Sequence, residues 1–301
     1  MNTLSPTATK HGVLYALSAF TLWGLAPIYF KSLALVPPTE ILLHRVVWSV
    51  LFLFFILTLK HQLHTIVRFI ANKKLLGMLA LSSCLIATNW LIFIWAINNN
   101  MLIEASLGYY INPLVNILFG FLFLKEVPTR AQKVAIVLVF GAVGFEVYTL
   151  GSLPIVSLAL AFSFGSYALI RKKVAIPSLP GLYIETVLLF PVALGYLAVL
   201  TYQHTSAFSF SFDTPTTWLL MLAGPVTVAP LLAFASAASR LRLSTIGYFQ
   251  YLAPTINLLL AVLVYNEPLL QGKIITFSLI WTALLLVSLE SYYRRKQTKD
   301  S

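Results

Sequence analysis

The sequence predicts an all-α integral membrane protein of ten transmembrane helices in two inverted five-helix repeats, and three observations carry that reading. Of 301 residues, 59% are hydrophobic and only 10% are charged, against about 25% charged in an ordinary soluble domain. The apolar residues fall in long continuous runs, as helices of about 20 residues crossing a bilayer require, not in the weak alternation of a membrane β-barrel. The third observation is an internal repeat at a constant spacing of 141 residues. Ten spans of about 30 residues each, connections included, use the whole chain. That leaves no room for a kinase, a dinucleotide-binding domain or an ATP-binding cassette.

Along the chain the apolar runs place spans at 12–30, 41–59, 75–97, 102–124, 131–149, 153–170, 181–201, 217–238, 244–265 and 274–291. The first follows a short stretch with one lysine, Lys10, and no small-residue cleavage site in a polar setting comes after it, so it reads as a retained span rather than a removable signal. Span two opens with Glu40, His44 and Arg45. Glu40 and His44 are four apart and share a helical face, while Arg45 points elsewhere. Charged groups inside spans mark pathways or pair with one another. The trio therefore reads as a gate, a proton relay or an anion-recognising cluster, or else as an ion pair locking span two to a neighbour.

Span three carries Cys84, Asn89 and Trp90, with Trp95 and Asn98 to Asn100 at its end. Trp95 suits an aromatic belt as readily as a pocket, and the asparagines suit a tight turn. A single cysteine excludes an internal disulfide and a cysteine-based metal site. His61 and His64 have metal-like spacing but lie in a basic loop without a carboxylate or thiol beside them, which makes them solvated loop residues. Span four holds Tyr109, Tyr110, Asn112, Pro113 and Asn116, and span nine holds Tyr248, Gln250, Tyr251, Pro254 and Asn257. Pro113 frees the carbonyl of Tyr109, and Pro254 that of Gln250. Span eight is expected to be interrupted at Gly224-Pro225 and Pro230, which free the carbonyls of Met221 and Val226. Glu104 and Glu146 lie near span ends, Glu185 about one turn inside span seven, and Glu290 at the end of span ten, where snorkelling accounts for it. No carboxylate falls at a midplane position.

The net charge of +11 is a topology signal before it is a nucleic-acid signal. Alternate connections, with the termini, hold 17 of the 20 Lys and Arg residues; the other side holds only Lys31 and Lys273, and Arg45 lies in a span. The positive-inside rule then sets both termini in the cytoplasm.

In the internal repeat, Pro113 and Pro254, Asn116 and Asn257, and Glu126 and Glu267 are each 141 residues apart, as are Gly24 and Gly165, and Lys31 and Lys172. The chain divides into halves at 1–150 and 151–301. Five spans per half is odd, so the halves are inverted, a plan common among secondary transporters with a site near the midplane. Gly108-Tyr109-Tyr110 matches Gly247-Tyr248-Phe249 at 139 instead of 141. Two extra residues rotate a helix by about 200°, so the two halves cannot line a cavity identically.

Lipid cannot satisfy the freed carbonyls, so their faces look into protein or water. A midplane substrate site would draw on Asn89, Trp90, Tyr109, Tyr110, Asn112, Asn116, Tyr248, Gln250, Tyr251 and Asn257. The other reading is that kinks and interhelical asparagine bonds fix the packing. Glu40, His44, Arg45 and Glu185 are the candidates for gating or ion coupling.

Glu40-Ile41-Leu42-Leu43-His44-Arg45-Val46-Val47-Trp48-Ser49, with Asn89-Trp90-Leu91-Ile92-Phe93-Ile94-Trp95-Ala96 and Glu104-Ala105-Ser106-Leu107-Gly108-Tyr109-Tyr110-Ile111-Asn112-Pro113, resembles the RarD group, named for chloramphenicol sensitivity. That group belongs to the EamA family of the drug/metabolite transporter superfamily. The resemblance covers nearly the whole chain. It implies a central substrate cavity, a location in the bacterial inner membrane, and export or exchange of small metabolites or drugs without ATP hydrolysis. It also implies shared proline and glutamate positions, met here by Pro113, Glu126, Pro254 and Glu267. Span seven lacks a counterpart of the His44-Arg45 pair, so ion coupling through that pair would belong to one half.

The expected function is a secondary transporter for a small organic solute, driven by a proton or counter-substrate gradient, with lipid around it and no cofactor, metal, nucleic acid or ATPase subunit. The alternative is a membrane-embedded lipid-handling protein or enzyme. HExxH, GxSxG and a pair of intramembrane acids are absent from the sequence, so no catalytic residue is assigned. A passive channel would call for a continuous polar ring, whereas the polar residues cluster near two proline breaks.

Overall fold

The computed structural model describes residues 6–151, 153–174, 176–238, 240–241 and 249–300. Its helices are α1 (Pro6–Ser32), α2 (Pro38–Leu59), α3 (Leu63–Ile70), α4 (Lys73–Asn98), α5 (Leu102–Leu124), α6 (Arg130–Leu150), α7 (Ile155–Val174), α8 (Ser178–Tyr202), α9 (Pro215–Ala238), α10 (Leu252–Leu259) and α11 (Gln271–Asp300). Among the described residues, nine helices are long and apolar enough to cross a membrane, and a shorter apolar helix, Leu252–Val264, lies in the ninth apolar run. Large apolar side chains such as Phe55, Phe121, Val137, Phe140, Val192 and Leu285 are exposed, as they are where lipid replaces water. The basic connection at 60–74, read as a loop, contains the short helix α3. It buries Ile66 in a cluster with Leu57, Leu79 and Ile184 and leaves Val67 outward.

The inverted repeat is visible in the packing. Helix α1 lies against α9 and α10, and its counterpart α7 lies against α4 and α5; α2 lies against α9, and its counterpart α8 against α4. The self-related pairs α2 with α8, α5 with α10, and α6 with α11 also touch. Two four-helix bundles result, α1-α2-α9-α10 and α4-α5-α7-α8, with the α6-α11 pair beside them. Each bundle draws helices from before and after residue 150, so the two parts of the chain interlock.

Individual residues obey the same symmetry. A Cβ on Gly24 would lie 2.7 Å from the Ile256 Cβ, and one on Gly165 would lie 2.7 Å from the Val115 Cγ1; Val115 and Ile256 are themselves 141 apart. Glycine at both places lets α1 meet α10, and α7 meet α5, at backbone distance. The ends of the two proline-bearing spans match too. Lys125 and Asn266 both take left-handed backbone, with φ 56° and 54°, and the next residue's N–H returns to the helix: Glu126 to the Gly120 carbonyl at 3.0 Å and Glu267 to the Ala261 carbonyl at 2.9 Å. A left-handed residue of this kind turns a chain off a helix end. Between them the halves differ: α5 is α-helical to Leu124, whereas α10 passes into a π turn over Leu260–Val264.

Helix α9 is not interrupted where its sequence suggested. It runs continuously through Pro225 and Pro230, because neighbouring helices can hold a proline-bearing span together. Gly224 serves contact there: a Cβ on it would lie 2.6 Å from the Trp48 carbonyl of α2.

Candidate functional site

The seam between the two bundles holds the polar residues that the sequence singled out, in two separate groups. The first surrounds Arg45 of α2, only 8% exposed. Its guanidinium lies 4.0 Å from the centre of the Trp90 ring of α4 and 5.6 Å from that of Phe30 of α1. Its ionisable neighbours are the phenols of Tyr29 and Tyr109. Both hydroxyls donate elsewhere, Tyr29 to the Leu219 carbonyl at 2.7 Å and Tyr109 to the Asn89 Oδ1 at 3.4 Å. Asn89 is anchored in turn, donating to the Leu160 carbonyl and to the Ser163 Oγ, each at 3.0 Å. Thus Trp90 and Tyr109 come together beside a cation, Tyr109 bonded to an Asn89 that is anchored on α7, while Tyr29 is anchored on α9.

Arg45 Nε is buried without a partner, and among the described residues no carboxylate forms an ion pair with this guanidinium. Removing a cation from water costs several kcal/mol even after relaxation. A cation over an aromatic face recovers about 0.5–2 kcal/mol. Trp90 and Phe30 therefore offset only part of the cost, and the balance calls for an anion or water at the guanidinium.

The second group lies on the other side of α5. Tyr110 shares a 2.5 Å hydrogen bond with Thr255 and stacks on Tyr251 of the same neighbouring span at 6.4 Å, with Phe277 and Trp281 meeting it edge-on. This is interlocked packing, and Tyr110 does not join Tyr109 in one lining. Asn112 and Asn257 are both buried with the side-chain Oδ1 lacking a partner. Asn116 faces α7, its Oδ1 3.6 Å from where a Gly165 Cβ would stand. Gln250 is half-buried just before α10. Tyr248 lies outside the described residues.

The two ends of the seam are held differently, although the same residue types stand at both. At the end bearing Lys31, the Glu267 carboxylate crosses from one bundle to the other and accepts the Leu102 and Ile103 N–H groups at 2.8 and 2.9 Å. These are orphan donors of the α5 N-terminus, where a carboxylate is favoured. Lys31 crosses as well, donating to the Ile97 carbonyl at 3.0 Å and the Asn100 Oδ1 at 2.5 Å at the end of α4. At the basic end the counterparts bond each other: Lys172 meets Glu126 at 2.5 Å, both in the α4-α5-α7-α8 bundle. Glu126 is 55% exposed there, whereas Glu267 is 7% exposed. The backbone counterpart of Leu102 at spacing 139 is Leu241, whose N–H goes to the Ala237 carbonyl at 2.8 Å.

Glu40 and His44 share a face as expected, His44 Nε2 lying 3.9 Å from Glu40 Oε1. Yet Glu40 is engaged by the 203–214 connection, accepting from the Ser206 Oγ at 2.7 Å and the Ala207 N–H at 2.8 Å, and His44 stacks on Phe208 at 5.0 Å. Glu185 accepts from the Ser82 Oγ at 2.6 Å and the Tyr167 hydroxyl at 3.3 Å, with Arg171 at 3.6 Å, all within one bundle. Lys273 bridges Glu104, at 2.5 Å, and Glu146. The sequence did not point to Phe30, Tyr29, Ser163 or Phe208. Lys31 was visible through its match to Lys172.

The sequence profile of the EamA-like transporter family matches residues 10–147. The chain is 46% identical over 294 residues to Protein RarD of Salmonella typhi, covering 96% of this chain and 98% of that protein. It is 43% identical over 296 residues to the uncharacterized transporter YojE of Bacillus subtilis (strain 168), covering 97% and 98%. It is 30% identical over 285 residues to the chloramphenicol-sensitive protein RarD of Pseudomonas aeruginosa, covering 93% and 94%. A solved crystal structure aligns with 93% of this chain and 98% of its own at a TM-score of 0.55 and 15% identity, a likeness of fold alone.

Proposed function

Because the chain belongs to the RarD group of the EamA-like transporter family and is a multi-pass membrane transporter, we propose that it works as a secondary carrier by alternating access. In this reading it exports or exchanges a small organic solute across the bacterial inner membrane, with the basic end and both termini in the cytoplasm. The solute binds in the seam at Arg45, Trp90, Tyr109 and Asn89, with Asn112 and Asn257 deeper in the contact of α5 and α10.

One observation carries the reading: symmetry-related Lys and Glu residues hold different partners at the two ends. Glu267 and Lys31 tie the bundles together at one end, whereas at the other Glu126 and Lys172 bond each other, and among the described residues neither bonds across the seam. Exchanging the two patterns under the pseudo-twofold gives a second state with the opposite end closed. Access from either side then requires no new contact type, only the trade of one end's bonds for the other's. Chloramphenicol, to which a Pseudomonas aeruginosa relative is called sensitive, is a first neutral probe. The test is counterflow: proteoliposomes preloaded with unlabelled solute should accumulate labelled solute transiently. A flux that is linear in concentration and indifferent to the internal solute contradicts a carrier.

A further inference from the structure

Arg45 sets a full positive charge on the seam, on α2 of one bundle against Trp90 and Tyr109 of the other. It cannot be an ion pair fixing span two, because its ionisable neighbours are phenols and its Nε has no acceptor. Glu40, five residues earlier, bonds Ser206 and Ala207 through Oε1, its Oε2 is buried without a partner, and it does not act on the guanidinium. A charge left unpaired inside a span marks a substrate path. We propose, building on the carrier reading above, that Arg45 anchors the transported solute and that this solute is an aromatic monocarboxylate.

The details follow from the surroundings. A planar guanidinium offers a fork of N–H groups that fits a carboxylate two-to-two. One face is covered by the Trp90 ring, so the anion is received in the guanidinium plane. A single cation with, among the described residues, no second Lys or Arg contributing to its surroundings balances one negative charge, which favours a carboxylate over a phosphate dianion. Among the described residues the ionisable neighbours of the guanidinium are phenols and not carboxylates, so no carboxylate beside it stands ready for a solute's ammonium group, and a simple anion fits better than a zwitterion. Phe30, Trp90 and Tyr109, with Phe93 edge-on to Tyr109 at 5.4 Å, form an aromatic wall against which a flat ring packs edge-on or offset. Because Trp90, Phe93 and Tyr109 sit on one bundle and Arg45, with Phe30, on the other, a solute that bridges them couples its own binding to their relative position.

The test uses the purified full chain, first in detergent for binding and then in proteoliposomes for exchange. Probes are phenylacetate and phenylpyruvate, the neutral phenylacetamide, phenyl phosphate and L-phenylalanine. The carboxylates should raise the melting temperature and exchange, and phenylacetamide should bind at least about tenfold more weakly, since a hydrogen bond to a charged partner exceeds a neutral one. Arg45→Gln should weaken phenylacetate by about a hundredfold, the usual scale for truncating one partner of a buried charge pair, and leave phenylacetamide unchanged. Arg45→Lys, which keeps the charge without the fork, should fall between. Arg45→Met should raise the ligand-free melting temperature, because it removes an uncompensated charge, whereas a structural arginine would lower it.

The proposal is overturned if neither carboxylate binds, if phenylacetamide binds as well as phenylacetate, if Arg45→Gln retains carboxylate affinity, or if phenyl phosphate or phenylalanine binds more tightly than phenylacetate. Exchange of phenylacetamide or chloramphenicol without Arg45-dependent carboxylate binding would sink the anchor and spare the carrier. Arg45-dependent binding without exchange of any probe would do the reverse.

Discussion

Replacing Glu267 probes the asymmetry of the two ends directly. Its carboxylate accepts two backbone N–H groups at the α5 N-terminus from a 7% exposed position. Hydrogen bonds to a charged group contribute about 1.5–3 kcal/mol each, and loss of a helix cap typically costs about 1 kcal/mol. Because freed donors regain water once the end opens, a net loss of about 3 kcal/mol for Glu267→Ala is reasonable, or about 150-fold in the balance between the two states. Glu267→Gln keeps one acceptor oxygen and should lose about half of that, roughly tenfold. Glu126→Ala breaks an exposed pair worth no more than about 1 kcal/mol in this state, but under the twofold it removes a cap from the other.

The readout is a thiol at Ser106, whose Oγ donates to the Pro254 carbonyl across the seam at 2.6 Å and is fully buried. In a Cys84→Ser background, Ser106→Cys should react with an impermeant thiol reagent at least about tenfold faster when Glu267→Ala is added, in line with that shift. Adding Glu126→Ala should bring the rate back toward the parent. If Glu267→Ala lowers the melting temperature without changing the Ser106→Cys rate, and Glu126→Ala has no compensating effect, the carboxylate is a static cap and the two-state reasoning fails.

Three further outcomes are expected. Gly165→Ala and Gly24→Ala should each destabilise by about 1–3 kcal/mol through overpacking; Val115→Ala, by deleting the Cγ1 2.7 Å away, should rescue the first, while Ile256→Ala should not rescue the second, because there the contact is with a Cβ that alanine keeps. Arg171→Ala leaves the Glu185 carboxylate buried without its cation and should cost about 3–5 kcal/mol in thermal unfolding, most of it recovered by adding Glu185→Gln; equal stability of the single and double variants would contradict the assignment. With Cys84 removed, an impermeant thiol reagent applied to intact spheroplasts should label a single cysteine at 210 and not one at 70, and the reverse pattern would invert the topology.

Much of this was legible in the sequence, for identifiable reasons. Hydropathy exposes spans because lipid leaves no other way to satisfy a backbone, and the 141-residue spacing extends to the same turn in both copies, where left-handed Lys125 and Asn266 precede Glu126 and Glu267. The reciprocal glycine contacts were legible as matched positions but not as contacts, since nothing local says that Gly24 meets Ile256. The candidate site was legible in part. Asn89 and Trp90 were chosen as the polar and aromatic residues of span three and Tyr109 as a polar residue near a helix break; Trp90 and Tyr109 do converge on Arg45, and Asn89 bonds Tyr109. Tyr110 was chosen for the same reason and turns away, because adjacent residues of a helix face about 100° apart. The difference between Glu126 and Glu267 was not legible, because both follow the same helix end at matched positions and their partners are set by the assembled bundle.

Whether the two ends exchange their bonds is tested most directly by distances from electron spin resonance on paired labels, in a Cys84→Ser background. One pair at residues 35 and 99 spans the end bearing Lys31, and another at residues 60 and 127 spans the basic end; all four positions are exposed, and each pair joins one bundle to the other. Exchange predicts two distance populations at each end that change in opposite senses, with Glu267→Ala lengthening the 35–99 distance and shortening the 60–127 distance. A single population at both ends, unmoved by Glu267→Ala, would contradict it.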